Sequence, residues 1–150
     1  MFSSCENLTS LNVSSFDTRN VTDMGYMFYG CYNNLTSLDL SSFDTRNVTN
    51  MSNMFNDCRK LRSLNLSSFN TEKVRDMECM FMNIRYINAL DLSGFSFAAN
   101  PTVTYMLYVT GVDATSKPIT IKVSSEGYTY LTSTTTDCGI NSSYATLRSN

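Results

Sequence analysis

LTSLDLSSFDTRNVTNM, residues 35–51, decides the fold, because it occurs almost unchanged as LTSLNVSSFDTRNVTDM at 8–24 and as LRSLNLSSFNTEKVRDM at 61–77. Each copy runs on into a Met-Phe pair, Met27-Phe28, Met54-Phe55 and Met80-Phe81, and Met1-Phe2 fills the same place at the start. A chain that repeats itself every 26 to 27 residues buries its apolar face by stacking each copy on the next. The expectation is therefore a solenoid, with function sought on a repeated face.

Within a copy the apolar skeleton is Leu35, Leu38, Leu40 and Phe43, matched by Leu8, Leu11, Val13 and Phe16, by Leu61, Leu64, Leu66 and Phe69, and by Ile87, Leu90, Leu92 and Phe95. Alternation across Leu38-Asp39-Leu40 has the strand period of two, so the aliphatics point inward and Asp39 points out. Stacked copies should pair as parallel strands about 4.8 Å apart. Asp-Thr-Arg-Asn at 17–20 and 44–47 reads as a polar turn whose Asn caps the segment that follows. Met24 and Met27 are three residues apart, as are Met51 and Met54, and Met77 and Met80. That spacing predicts one or two helical turns on the return leg, with the methionines as adaptable filler against Phe28, Phe55 and Phe81.

Cys5, Cys31 and Cys58 form a further ladder, and Ile84 stands at its fourth rung. A position that accepts Ile is a buried apolar slot, so these cysteines read as small hydrophobes. Parallel side chains on neighbouring rungs seldom meet the disulfide dihedral. Cys79 and Cys138 lie off the ladder, no CxxC occurs and His is absent, which removes zinc sites and Cys-His nucleophiles from consideration. Five cysteines in an exported chain fit a weakly oxidising setting better than a disulfide scaffold.

The fourth copy keeps Leu90-Asp91-Leu92-Ser93-Gly94-Phe95 but loses the Asp-Thr-Arg-Asn turn, and Val103-Thr104-Tyr105-Met106 still echoes Val-Thr-x-Met. Beyond Gly111 the period is gone. Ile119 to Val123 alternates like a strand, Ser124-Ser125-Glu126 starts a short helix carrying Tyr128 and Leu131, and Tyr144 to Leu147 reads as a last strand. The repeats thus occupy 1–107, with copies starting near 1, 27, 54 and 80, and 108–150 is a C-terminal α/β cap over the last apolar edge. Because the pattern begins inside a copy, the expectation is a fragment that has lost its N-terminal cap and any export signal. A naturally short array is the alternative. The uncapped first copy predicts self-association through its open edge.

Net charge is −2 with 16% charged residues, which argues against nucleic acid and anionic membrane surfaces as partners. Apolar runs are too short to span a bilayer, so the chain is not membrane-embedded. Eight N-x-Ser/Thr sites, at Asn7, Asn12, Asn20, Asn34, Asn47, Asn50, Asn65 and Asn141, follow from the Asn- and Thr-rich repeat itself.

LTSLDLSSFDTRNVTNMSNMF with its following Cys closely resembles the BspA-type leucine-rich repeats of bacterial surface proteins, whose mycoplasma branch is catalogued as a domain of unknown function. The likeness covers residues 1 to about 107 and rests on copies that match over most positions. It implies an α/β leucine-rich-repeat solenoid with a parallel strand ladder and short helical return legs. It also implies an extracellular or cell-surface location and adhesion to a host or matrix protein or a glycan. The family fixes no catalytic residue, so none is carried over, and the usual anchoring or sorting segments are not found in this sequence.

On the strand face Ser10, Ser37, Ser63 and Ala89 should align, as should Asn12, Asp39, Asn65 and Asp91, and Ser14, Ser41, Ser67 and Ser93. Small hydroxyls, amides and carboxylates at strand spacing can hydrogen-bond an extended peptide or a glycan, and weak contacts accumulate along an array. The same residues also suit any solvated sheet face and lack the aromatic and Arg anchors that dominate binding energies. Both readings stay open. Asp39 and Asp91 are two strands apart and Asn65 interrupts them, which does not make a paired-carboxylate centre. The chain is read as a binding domain, not an enzyme, with no cofactor or metal. A structural spacer in a larger surface protein is the alternative.

Overall fold

The protein's structure, a computed structural model, describes residues 1–5, 7–111, 113, 118–133 and 137–149. Parts of the expected cap, residues 112, 114–117, 134–136 and 150, lie outside the described residues. Among the described residues the fold is mixed α/β, with parallel strands in two small sheets and one short helix. Strands β1 (Ser37–Asp39) and β2 (Ser63–Asn65) pair in parallel, Leu38 beside Leu64 and Asp39 beside Asn65. Strands β3 (Ala89–Leu92), β4 (Ile119–Val123) and β5 (Ala145–Ser149) form the second sheet, in that order and all parallel. Helix α1 (Ser125–Leu131) follows β4, and the Ser124 hydroxyl accepts the Gly127 N–H at 3.1 Å as its N-cap.

The alternation expected at the strands is present: Leu38 is buried between exposed Ser37 and Asp39, and Leu90 and Leu92 are buried on β3. The last strand runs over Ala145–Ser149 instead of 144–147. The first copy departs from expectation, because 10–12 is not a strand. Among the described residues its tie to the second copy near that segment is a side-chain bond from Ser42 Oγ to the Val13 carbonyl.

The return legs are not helical. Each holds consecutive turns, with Met27 N–H donating to the Met24 carbonyl and Tyr29 N–H to that of Tyr26. The intervening N–H groups donate outward to the next copy: Met24, Tyr26, Phe28 and Gly30 to the carbonyls of Asn50, Ser52, Met54 and Asn56, at 2.9 to 3.0 Å. The pattern recurs from Met51, Asn53, Phe55 and Asp57 to Asp76, Glu78, Met80 and Met82, and from Met77, Cys79, Phe81 and Asn83 to Thr102, Thr104, Met106 and Tyr108. Residues with positive φ punctuate every leg, at Tyr26, Asn53, Cys79 and Tyr105 and again at Gly30, Asp57, Asn83 and Val109. A left-handed residue every fourth position breaks a helix, and the N–H groups so freed bond to the neighbouring copy.

The buried side chains form one continuous cluster. Phe2, Phe28, Phe55 and Phe81 stack in a column with centroid spacings of 5.7, 5.6 and 5.7 Å and interplanar angles of 4 to 6°. Such offset pairs contribute about 0.5–1.5 kcal/mol each beyond area burial. The methionine pairs are buried beside them, with Met51, Met54, Met77 and Met80 fully enclosed. They share one side of the leg because a turn, not a helix, brings them round. All five cysteines are free thiols. Cys31 and Cys58 are buried, and their thiols donate to the Phe2 and Phe28 carbonyls at 3.4 and 3.1 Å. Thr110 makes the equivalent bond to the Phe81 carbonyl at 2.8 Å. Hydrogen bonding with Cys31, reinforced by burial, pushes the Cys58 thiol well above its ordinary pKa.

A second column was not anticipated. Thr18, Thr45 and Thr71 are buried, and each hydroxyl bridges to the backbone of the next copy, accepting one N–H and donating to the carbonyl of the same residue. For Thr45 the partner is Asn70, at 2.8 and 2.9 Å, and for Thr71 it is Ser96, at 2.8 and 3.1 Å. The Asn expected to cap a helix has no helix to cap. Asn47 Nδ2 donates instead to the Arg19 carbonyl at 2.9 Å. Among the described residues no helix is long and apolar enough to cross a membrane.

Candidate functional site

Three corners in each of the first three copies, and one in the fourth, are turned by an Asx side chain that accepts the N–H two residues on, the local bond these residues are suited to make. Asp17 and Asp44 accept from Arg19 and Arg46, and Asn70 from Glu72. Asp23, Asn50 and Asp76 accept from Gly25, Ser52 and Glu78. The third corner belongs to the strip singled out from the sequence: Asn12, Asp39, Asn65 and Asp91 accept from Ser14, Ser41, Ser67 and Ser93, at 3.0 to 3.1 Å. These four residues are therefore structural pins, whatever else they touch.

The hydrogen bonds leave a signature in the carboxylates. Asp39 is held below its ordinary pKa by the Ser41 N–H and hydroxyl and by the Asn65 amide, which donates to it at 3.0 Å. Asp91 is held down by the Ser93 hydroxyl and N–H, with Lys122 adding a weaker pull from 3.9 Å. At the next corner Arg46 holds Asp44 down to about 2, and Arg19 does the same for Asp17. The folded-state values lie below the ordinary ones, so these carboxylates favour the fold above the ordinary carboxylate range. The contribution is lost as pH falls through the depressed values.

Ser37 and Ser63 face each other across β1 and β2, exposed, as do Asp39 and Asn65. Ser10, Asn12 and Ser14 are exposed on the first copy, which carries no strand. The strip does not continue unbroken to Asp91, because β3 pairs with β4 and not with β2. Where the strand segments of the third and fourth copies meet, the backbone bond among the described residues is Asn88 N–H to the Arg62 carbonyl, at 3.3 Å. One tie present at the earlier junctions is missing here. Ser42 and Ser68 tie their copies to the one before, through the Val13 and Leu40 carbonyls at 3.4 and 3.0 Å. The fourth copy has Gly94 at that place and no side chain to make the bond.

The parting opens a cleft of about 350 Å³ lined by Asn65, Ser67, Asp91, Ser93 and Gly94, with Leu64, Leu66 and Phe95 beneath. Its size falls at the lower end of small-ligand sites, but its exposed lining is more polar than apolar, unlike the mostly apolar lining usual there. Four residues of the expected strip, Asn65, Ser67, Asp91 and Ser93, come together here. Ser10, Asn12, Ser14, Ser37, Asp39, Ser63 and Ser41 are not among its lining residues. Gly94 is the residue that reading by type missed, and the signal was its departure from Ser15, Ser42 and Ser68. A side chain there would meet nothing within 4 Å. Among the described residues no group of three metal-ligating side chains occurs.

Residues 1–119 match the family described as Mycoplasma protein of unknown function, DUF285. No curated protein and no solved structure matches the chain.

Proposed function

We propose that this chain, which belongs to the DUF285 family of mycoplasma proteins of unknown function, is a leucine-rich-repeat solenoid of the BspA type that acts outside the cell or on its surface as an adhesion or recognition module. Its support as a solenoid is the neighbour-to-neighbour bonding of successive copies. The observation that carries recognition is the cleft between β2 and β3, where the strip parts and polar groups of both strands line a concave surface. A polar side chain of a host or matrix protein, or the hydroxyls of a sugar, fit such a seat. No catalytic role is proposed.

The test is a binding screen against glycan and extracellular-matrix arrays with two variants. Gly94→Tyr fills the cleft from a position with open space around it, and Ser37→Lys with Ser63→Lys alters the flat strip without removing a corner pin. Wild-type binding weakened about tenfold or more by Gly94→Tyr alone is the expected result. Loss in the serine variant alone would move recognition to the flat strip. Binding kept by both variants, or none by the wild type, would leave a structural spacer as the better account.

The N-terminal face supports a further expectation. Phe2, Leu8, Leu11, Phe16 and Val21 are only half-buried there, and Met1 is 85% exposed. The 150-residue chain is expected to self-associate through this face. Sedimentation should show average mass rising with concentration, and a constant monomer mass would refute the association.

A further inference from the structure

In an array of near-identical copies, an exposed residue that departs from its counterparts does so without a packing reason. The corner before each strand reads Cys5-Glu6-Asn7-Leu8, then Cys31-Tyr32-Asn33-Asn34-Leu35, Cys58-Arg59-Lys60-Leu61 and Ile84-Arg85-Tyr86-Ile87. Cys31, Leu35, Cys58, Leu61, Ile84 and Ile87 are buried, so core demands explain those positions and not the ones between. Two residues further on stand Thr9, Thr36, Arg62 and Asn88. The third and fourth copies have thus exchanged short polar residues for cations and a tyrosine.

The exchange is organised in space. Lys60 Nζ lies 4.5 Å from the centre of the Tyr86 ring, and Arg62 Cζ lies 5.4 Å from the same ring. Beside them Arg59 Cζ lies 5.2 Å from the Tyr32 ring. Arg59 has its counter-ion in Asp57 at 2.9 Å, and Arg85 has Asp113 at 2.6 Å. Lys60 and Arg62 have no carboxylate partner among the described residues. A ring that attracts both cations orders two long side chains beforehand, which reduces the entropy lost when they close on an anion.

We propose that Lys60 and Arg62, held on the Tyr86 ring, form a binding site for an acidic sugar, a carboxylated or sulfated residue of a glycan. Two uncompensated cations on a chain of net charge −2 suit a compact oxyanion better than a long polyanion such as nucleic acid, which needs a wide basic field. The exposed neighbours Thr36 and Asn88, joined to Arg62 through the backbone at 2.8 and 3.3 Å, offer the hydroxyl and amide groups that sugar hydroxyls use. The site deepens the recognition reading but lies apart from the cleft, so the two fail separately: Gly94→Tyr should leave acidic-glycan binding intact.

The experiment is calorimetric titration with four probes: a sulfated glycosaminoglycan oligosaccharide, an unsulfated uronic-acid oligosaccharide, a neutral oligosaccharide and an oligoglutamate peptide. Binding of at least one acidic oligosaccharide and none of the neutral one is expected, and whichever acidic probe binds tighter identifies sulfate or carboxylate as the anion. Lys60→Gln with Arg62→Gln, both exposed positions, should weaken binding about tenfold or more. Arg75→Gln with Arg148→Gln, which removes the same charge from exposed positions elsewhere, should stay within about twofold. Tyr86→Leu keeps both charges yet should weaken binding several-fold, an effect that charge alone would not produce. No binding of either acidic glycan, an equal loss in the two charge variants, or oligoglutamate binding as tightly as the sugars would overturn the proposal.

Discussion

Replacing Phe55 with alanine is expected to lower stability by about 4 kcal/mol, at the upper part of the range for large core truncations. The ring is fully buried and stacks between Phe28 at 5.6 Å and Phe81 at 5.7 Å, so its removal empties a slot that neither neighbour can collapse into. Both neighbours are fixed by backbone bonds, Phe28 N–H to the Met54 carbonyl of Phe55's own copy and Phe81 N–H to the Met106 carbonyl of the next. In the proposed solenoid each copy is stabilised by its neighbours, so a cavity in the middle uncouples two parts of the array, whereas one in the first copy frays that copy alone. Phe2→Ala, at the half-buried end of the same column, should therefore cost about half as much. Urea unfolding midpoints of the two variants decide the matter, and equal losses would contradict a column coupled along its axis.

Thr45→Val should cost about 2 kcal/mol even though it preserves shape, because it leaves a part-buried N–H and carbonyl of Asn70 without their partner. Thr45→Ser retains the hydroxyl and should lose less than about 1 kcal/mol, mainly for one methyl group. A valine variant as stable as the wild type would show that the bridge is redundant with neighbouring ladder bonds. The comparison separates the hydroxyl from the volume, which an alanine variant could not do.

The strands, the Phe and Met columns and helix α1 were legible because their causes are local. Alternation at Leu38-Asp39-Leu40 and at Ile119 to Val123 places side chains on two faces wherever the segment sits, and the Ser124 cap acts within three residues. The return leg was misread for the opposite reason. A spacing of three between Met24 and Met27 fits a turn as well as a helix, and what selects the turn is a set of bonds to residues 26 positions away. Nor do the left-handed positions announce themselves by glycine, since Tyr26, Asn53 and Cys79 occupy one of them. The candidate site was half visible. Exposure of Asn12, Asp39, Asn65 and Asp91 followed from alternation, but their work as corner pins depends on a bend in the backbone after each strand. The cleft borders one departure from the repeat, Gly94, and the Lys60 and Arg62 pair was concealed by a net charge averaged over the whole chain.

The corner between Cys31 and Leu35 holds one residue more than its counterparts, yet the column of buried side chains and the backbone ladder pass it in register, Leu35 and Leu61 alike fully enclosed. Length in this molecule is therefore heritable in two units. A whole repeat gained or lost by unequal recombination leaves the repeats on either side able to meet as before. A single codon gained at that corner is absorbed on the surface, while one gained within a strand would turn every following side chain of that strand to the wrong face.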